Sequence, residues 1–185
     1  MACEEACRLI LRSDCYDEIA ELDGEDEEVE ATAFDPTAHR TFIYSILKKR
    51  NFPYGDRLHA IYKEYGVSPL RLSDEEWGTL INDLEYLDPA HKEMFLCYSS
   101  SAPINKEHEV YLERALAYFI YRHCTEAYDY EELCARLGFC LFCERLLCSL
   151  LSHNEKNVFL YSRIISEELE YSTDNTEAIM RKFLE

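Results

Sequence analysis

Apolar residues recur at the three-and-four spacing of an α-helix in segment after segment of this chain, and no alternating, period-two stretch competes with them. Leu58, Ile61, Tyr62 and Tyr65 stand at i, i+3, i+4 and i+7, and Trp77, Leu80, Ile81 and Leu84 repeat the pattern. Turn chemistry is scarce: 5 Gly and 5 Pro in 185 residues leave little for the many short connections of a strand-rich fold. With 48% hydrophobic and 13% aromatic residues the chain is too apolar for a disordered one. These features predict an all-α fold, an irregular bundle of about 7–9 helices with two long central ones.

Helix boundaries are marked by caps. Asp35-Pro36 reads as an N-cap followed by proline at the first helical position, and the helix it opens should bury Phe42, Ile43, Ile46 and Leu47 before stopping near Asn51. Pro53 restarts a helix that Gly66 ends. Ser73 and Glu76 form a capping box, and Asp88-Pro89 opens a short helix containing Met94, Phe95 and Leu96. After a polar connection from Tyr98 to Asn105 come the two long helices, from about Lys106 to Cys124 and from about Tyr130 to Leu151. Both are apolar around much of their circumference, as central helices are. Two more should follow, near Lys156–Glu170 and Thr173–Leu184, with Ser172 or Thr173 as the cap between them. The expected organisation is an N-terminal segment over 1–23, an acidic linker over 24–34 and a helical domain over 35–185.

Charge narrows the function classes. A net charge of −18 repels a phosphate backbone and an anionic membrane surface alike. The one basic run, Lys48 to Arg50, falls at a helix end, where cations suit the dipole. Nine cysteines and an opening, MACEEACRLILRSD, that lacks the pattern of a secretory signal suggest a cytoplasmic chain with reduced thiols. The most apolar stretch, Leu133 to Leu151, contains Arg136, Glu144 and Arg145, and so reads as a buried helix, not a membrane span.

Few side chains are spaced for chemistry. Cys140 and Cys143 make a CxxC with Cys148 five residues on, but inside an apolar helix and without a second ligand pair they read as small core residues. Cys3, Cys7 and Cys15 are spaced C-x3-C-x7-C, compatible with part of a metal centre or with an unstructured terminus. The six histidines include no pair at i, i+4. Glu167, Glu168 and Glu170 read as a solvated helix face. Tyr111, Arg114, Tyr118, Tyr121, Arg122 and His123 crowd the end of the first long helix, with Tyr128 and Tyr130 just beyond it. Tyrosine with arginine is the chemistry of recognition surfaces, so this is the candidate interaction patch; the other reading is tyrosines edging the core with hydroxyls in water.

Four stretches, in order, resemble the flagellin lysine-N-methylase family. ACEEACRLIL is similar to its Ser-Cys-Pro-Glu-Ala-Ala-Arg-Leu-Leu-Leu segment. RTFIYSILKKRNFPYGDRL resembles its Arg-x-Phe-Leu…Asp-Arg-Leu stretch through Arg40, Phe42, Arg50, Asp56 and Arg57. YLERALAYFIYRH resembles the following helix, and SEELEYSTDN a closing Ser-Arg-Glu-Ile-Glu-His-Ser-x-x-Asn signature, with Glu167 in place of a basic residue and Tyr171 in place of histidine. The resemblance implies the C-terminal helical part of a bacterial S-adenosylmethionine-dependent lysine N-methyltransferase. The cysteine-rich half, which would hold an iron–sulfur or other metal centre, is absent from this sequence. It implies a metal role for Cys3 alone, with the remaining ligands outside this chain. It also implies a partner in that methylase half or in a lysine-bearing, flagellin-type substrate, this chain serving docking or support and not catalysis. The alternative is a stand-alone, non-enzymatic helical interaction module.

Overall fold

A computed structural model describes residues 34–153 and 158–184. The segment 1–23, the acidic stretch 24–33 and Cys3, Cys7 and Cys15 lie outside the described residues. Within them the chain forms eight α-helices and no β-strand. The all-α bundle expected from the periodicity is the observed one.

The caps act as the sequence indicates. Helix α1 spans Pro36–Leu47, and the Asp35 carboxylate accepts from the backbone nitrogens of Thr37 at 2.9 Å and Ala38 at 3.2 Å. Helix α2 runs Tyr54–Tyr65 and stops at Gly66, whose φ of 67° is a left-handed conformation that glycine adopts without a side-chain clash. A short 3-10 turn at Pro69–Arg71 leads to α3, Asp74–Asp83, closed by the reciprocal Ser73–Glu76 capping box. Asp88 caps α4, Pro89–Phe95.

The two long helices are α5, Glu109–Cys124, and α6, Tyr130–His153. They share the largest helix–helix contact, and α6 also meets α4 and the 3-10 turn. From Leu137 to Leu151 every residue of α6 is buried, so it is the axis about which the others pack. Trp77 of α3 closes one side of this core, its indole 4.5 Å from the Phe142 ring and its Nε1 donating to the Pro69 carbonyl at 2.8 Å. Helix α7, Val158–Ile165, continues into a five-residue π-helical turn, Ser166–Glu170, in which the Tyr171 N–H donates to the Ser166 carbonyl. Ser172 then caps α8, Thr173–Arg181. Helices α7 and α8 both pack on α6. Among the described residues no helix is long and apolar enough to cross a membrane.

Two expectations of burial are corrected. Helix α1 turns Arg40, Ile43, Tyr44 and Leu47 inward, at i, i+3, i+4 and i+7, which leaves Phe42 on another face and 44% exposed. Glu168 and Glu170 are not a solvated face, because Glu168 is buried and the Glu170 side chain is wholly so. Cys140 and Cys143 do lie in the core, and burial pushes both thiols well above the usual 9.

Candidate functional site

The C-terminal turn of α5, the first half of α6, the π-helical turn and the start of α8 enclose a polar cleft of about 380 Å³. Helix α5 brings Arg122 and His123, the α5–α6 connection brings Glu126, and α6 brings Glu132 and Arg136. The π-helical turn supplies Glu170, and α8 supplies Thr173, Thr176 and Glu177. Four carboxylates thus face two guanidinium groups and one imidazole.

Glu170 is the floor. Its Oε1 lies 2.9 Å from His123 Nε2 and 3.4 Å from Arg122 Nε, and its Oε2 accepts from the Ser166 hydroxyl. Hydroxyl, imidazole and carboxylate are therefore adjacent, but in the wrong order for a nucleophile. Serine and histidine both bind the carboxylate, so the imidazole is not placed to take the serine proton. The cluster is electrostatic scaffolding that fixes the end of α5 against the π-helical turn.

The upper wall is a clasped guanidinium. Arg136 donates through Nε and Nη2 to Glu132 Oε1 at 3.0 and 2.8 Å, and through Nη1 to Glu126 Oε2 at 3.3 Å and the His123 carbonyl at 3.2 Å. That carbonyl belongs to the last turn of α5, where the helix dipole presents partial negative charge to a cation. Glu126 is 72% exposed, so it stands at the mouth.

Two other buried carboxylates tie the bundle together. Glu113 of α5, 1% exposed, meets Arg50 at 2.8 Å and Arg57 at 2.5 Å, locking the α1–α2 connection to the central helix. Glu168 accepts from the backbone nitrogens of Leu87 at 2.8 Å and Asp88 at 3.2 Å and lies 2.5 Å from His91 Nδ1, while the Asn175 side chain bridges Glu85 and the Glu168 carbonyl. Each carboxylate satisfies donors from an element distant in sequence.

The expected tyrosine–arginine patch is divided among environments. Arg122 and His123 enter the cleft. Tyr118 is 3% exposed, its phenol pushed up by burial and by the Glu170 charge. Tyr121 is half-buried, with the Arg40 guanidinium 5.3 Å from its ring centre, and Tyr111 and Arg114 are half-buried along the same helix. Tyr128, by contrast, is 77% exposed, and Tyr130 stacks on Tyr65. Cys3 lies outside the described residues, and among those described no group of three or more His, Cys, Asp or Glu side chains is placed to hold a metal ion.

Sequence reasoning missed Glu113, Glu168, Glu170 and Asn175 as organising residues. For Glu113 the signal was a carboxylate within an otherwise apolar helical pattern; Glu168, Glu170 and Asn175, set in a polar stretch, gave none. All four fall within two stretches, YLERALAYFIYRH and SEELEYSTDN. What fold and cleft together define is a class, a helical bundle with an ion-paired polar cleft at one helix junction. Compared with protein-family models, with curated proteins and with solved structures, the chain matches none of them.

Proposed function

We propose that this chain is a protein-docking module whose polar cleft receives a basic, lysine-bearing segment of a partner protein. The observation that carries the reading is the way the cleft already holds a cation. Arg136 sits among Glu126, Glu132 and the His123 carbonyl in the last turn of α5, and Glu177 adds a further carboxylate to the lining. A lysine or arginine approaching the mouth meets the same acceptors, and a net charge of −18 draws it there. The motif resemblance to flagellin lysine-N-methylases points in the same direction, since lysine methylation requires that a lysine-bearing protein be held.

The test is a titration with a short lysine-rich peptide. Binding should be saturable, weaken steeply as salt is raised, and drop at least several-fold in Glu126→Gln/Glu177→Gln. A peptide that binds the double variant as well as the parent, or binds neither, would overturn the reading.

A further inference from the structure

Among the described residues that line the polar cleft, His123 alone is of a type whose charge changes between about pH 5 and pH 8. Its Nε2 faces the Glu170 carboxylate at 2.9 Å. A carboxylate only accepts, so this nitrogen donates whether the ring is neutral or charged. Nδ1 is then the atom that takes up or releases the second proton. The contact with Glu170 survives in both states, and what changes is the charge at the cleft floor.

That charge is a large fraction of the total. Four carboxylates, Glu126, Glu132, Glu170 and Glu177, stand against two guanidinium groups, Arg122 and Arg136. Four less two leaves two negative charges when His123 is neutral, and one when it is protonated. Half of the net charge that draws a cation therefore rests on one proton. The imidazole is 11% exposed and packs edge-on to the Phe139 ring at 4.8 Å, so water damps its charge less than at an open surface. Carboxylates as a class titrate below the neutral range and guanidinium groups above it. Beyond Glu170, burial raises the Cys140 and Cys143 thiols of α6 and the Tyr118 phenol of α5, so these three stay neutral there.

We infer that protonation of His123 weakens the hold of the cleft on its cationic partner, a regulation that rests on the cleft's docking role. The probe is a lysine-rich peptide blocked at both ends, whose own charge is constant between about pH 6 and pH 8. In low salt its affinity should fall by about two- to fivefold from about pH 8 to about pH 6. By linkage, calorimetry in buffer pairs of different ionisation heat should find proton release on binding near pH 6.5 and none near pH 8. This release is read on the parent alone, so it decides the matter even if a variant is unstable. His123→Gln, whose amide can still donate to Glu170, should bind equally at both pH values. An affinity independent of pH, no proton release from the parent, or a pH dependence that survives in His123→Gln would overturn the inference. Those outcomes leave the docking role standing wherever binding still depends on Glu126 and Glu177. Peptide binding that is absent, or indifferent to Glu126→Gln/Glu177→Gln, sinks the docking role and the proton control together.

Discussion

His123 Nε2 and Glu170 Oε1 lie 2.9 Å apart across 47 residues of sequence, and the carboxylate they share with Arg122 and Ser166 has no solvent exposure. The pair joins the end of α5 to the π-helical turn and so sets the depth of the cleft. Replacing Glu170 with alanine would strand a buried imidazole, a guanidinium and a hydroxyl at once. Breaking a buried pair from one side costs about 3–5 kcal/mol. Glu126→Ala removes a carboxylate that is 72% exposed, and should change stability by no more than about 1 kcal/mol. Urea denaturation of the two variants checks the contrast; equal midpoints would show that Glu170 does not hold the junction.

Why one of these glutamates organises the fold and the other does not was not legible in the sequence. Asp35-Pro36, Ser73 with Glu76, Asp88-Pro89 and Gly66 each announced a helix end, because capping is local and its partners lie within a few residues. The burial of α6 was equally plain, since an all-round apolar helix has no polar face to show water. Glu168 and Glu170 depend on partners 77 and 47 residues away. Two positions apart on the π-helical turn, the side chains point to roughly opposite sides, so one reaches His91 on α4 while the other reaches His123 on α5. A run of three acids in four residues looks like a wet surface until the elements on both sides are in place. Phe42 misled in the opposite sense: its hydrophobicity suggested core, but Arg40 occupies the inward stripe and leaves the ring outside.

Glu144 gives a prediction with a definite sign. It lies on α6 with no solvent exposure, and burial raises its carboxyl above the ordinary 4.5 against the opposing pull of Arg145 and the Tyr54 hydroxyl. Below 4.5 the folded and unfolded chains both keep this proton. As pH rises through 4.5 the unfolded chain releases it while the folded chain retains it, so folding loses stability until the raised folded value is passed. The slope is up to about 1.4 kcal/mol per pH unit in that window. Glu144→Gln has no proton to release. It should melt higher than the parent at pH 8, with the gap closing toward pH 4. A gap independent of pH would mean that Glu144 is ionised in the folded chain.

The thiols offer a second reporter of burial. Cys97 and Cys134 are half-buried, whereas Cys140 and Cys143 have no exposure and the more strongly raised thiols. Only the thiolate alkylates, so iodoacetamide on the native chain should mark Cys97 and Cys134 well before the CxxC pair. Mass-spectrometric peptide mapping reads the order. Labelling of Cys140 and Cys143 at the rate seen in denaturant would place them at a surface and reopen a metal or redox role for them.

Glycine-to-alanine substitution should go opposite ways at two helix-interior positions. Gly78, in α3, has nothing within 4 Å of where a β-carbon would stand, so Gly78→Ala gains helix propensity without a clash and should stabilise by about 0.5–1 kcal/mol. Gly138, in α6, is where the chain beyond α8 lays the Phe183 ring directly against the helix backbone, and a β-carbon there would overlap that ring. Phe183 is 7% exposed and packs 5.8 Å from the Trp77 indole, so it has no free volume to retreat into. Overpacking costs of about 1–3 kcal/mol outweigh the propensity gain of about 1 kcal/mol, and Gly138→Ala should be destabilising. Paired thermal melts of the two variants decide it. If Gly138→Ala also raised the midpoint, α8 would not be seated on α6 through Phe183, and the α8 wall of the cleft would have to lie elsewhere.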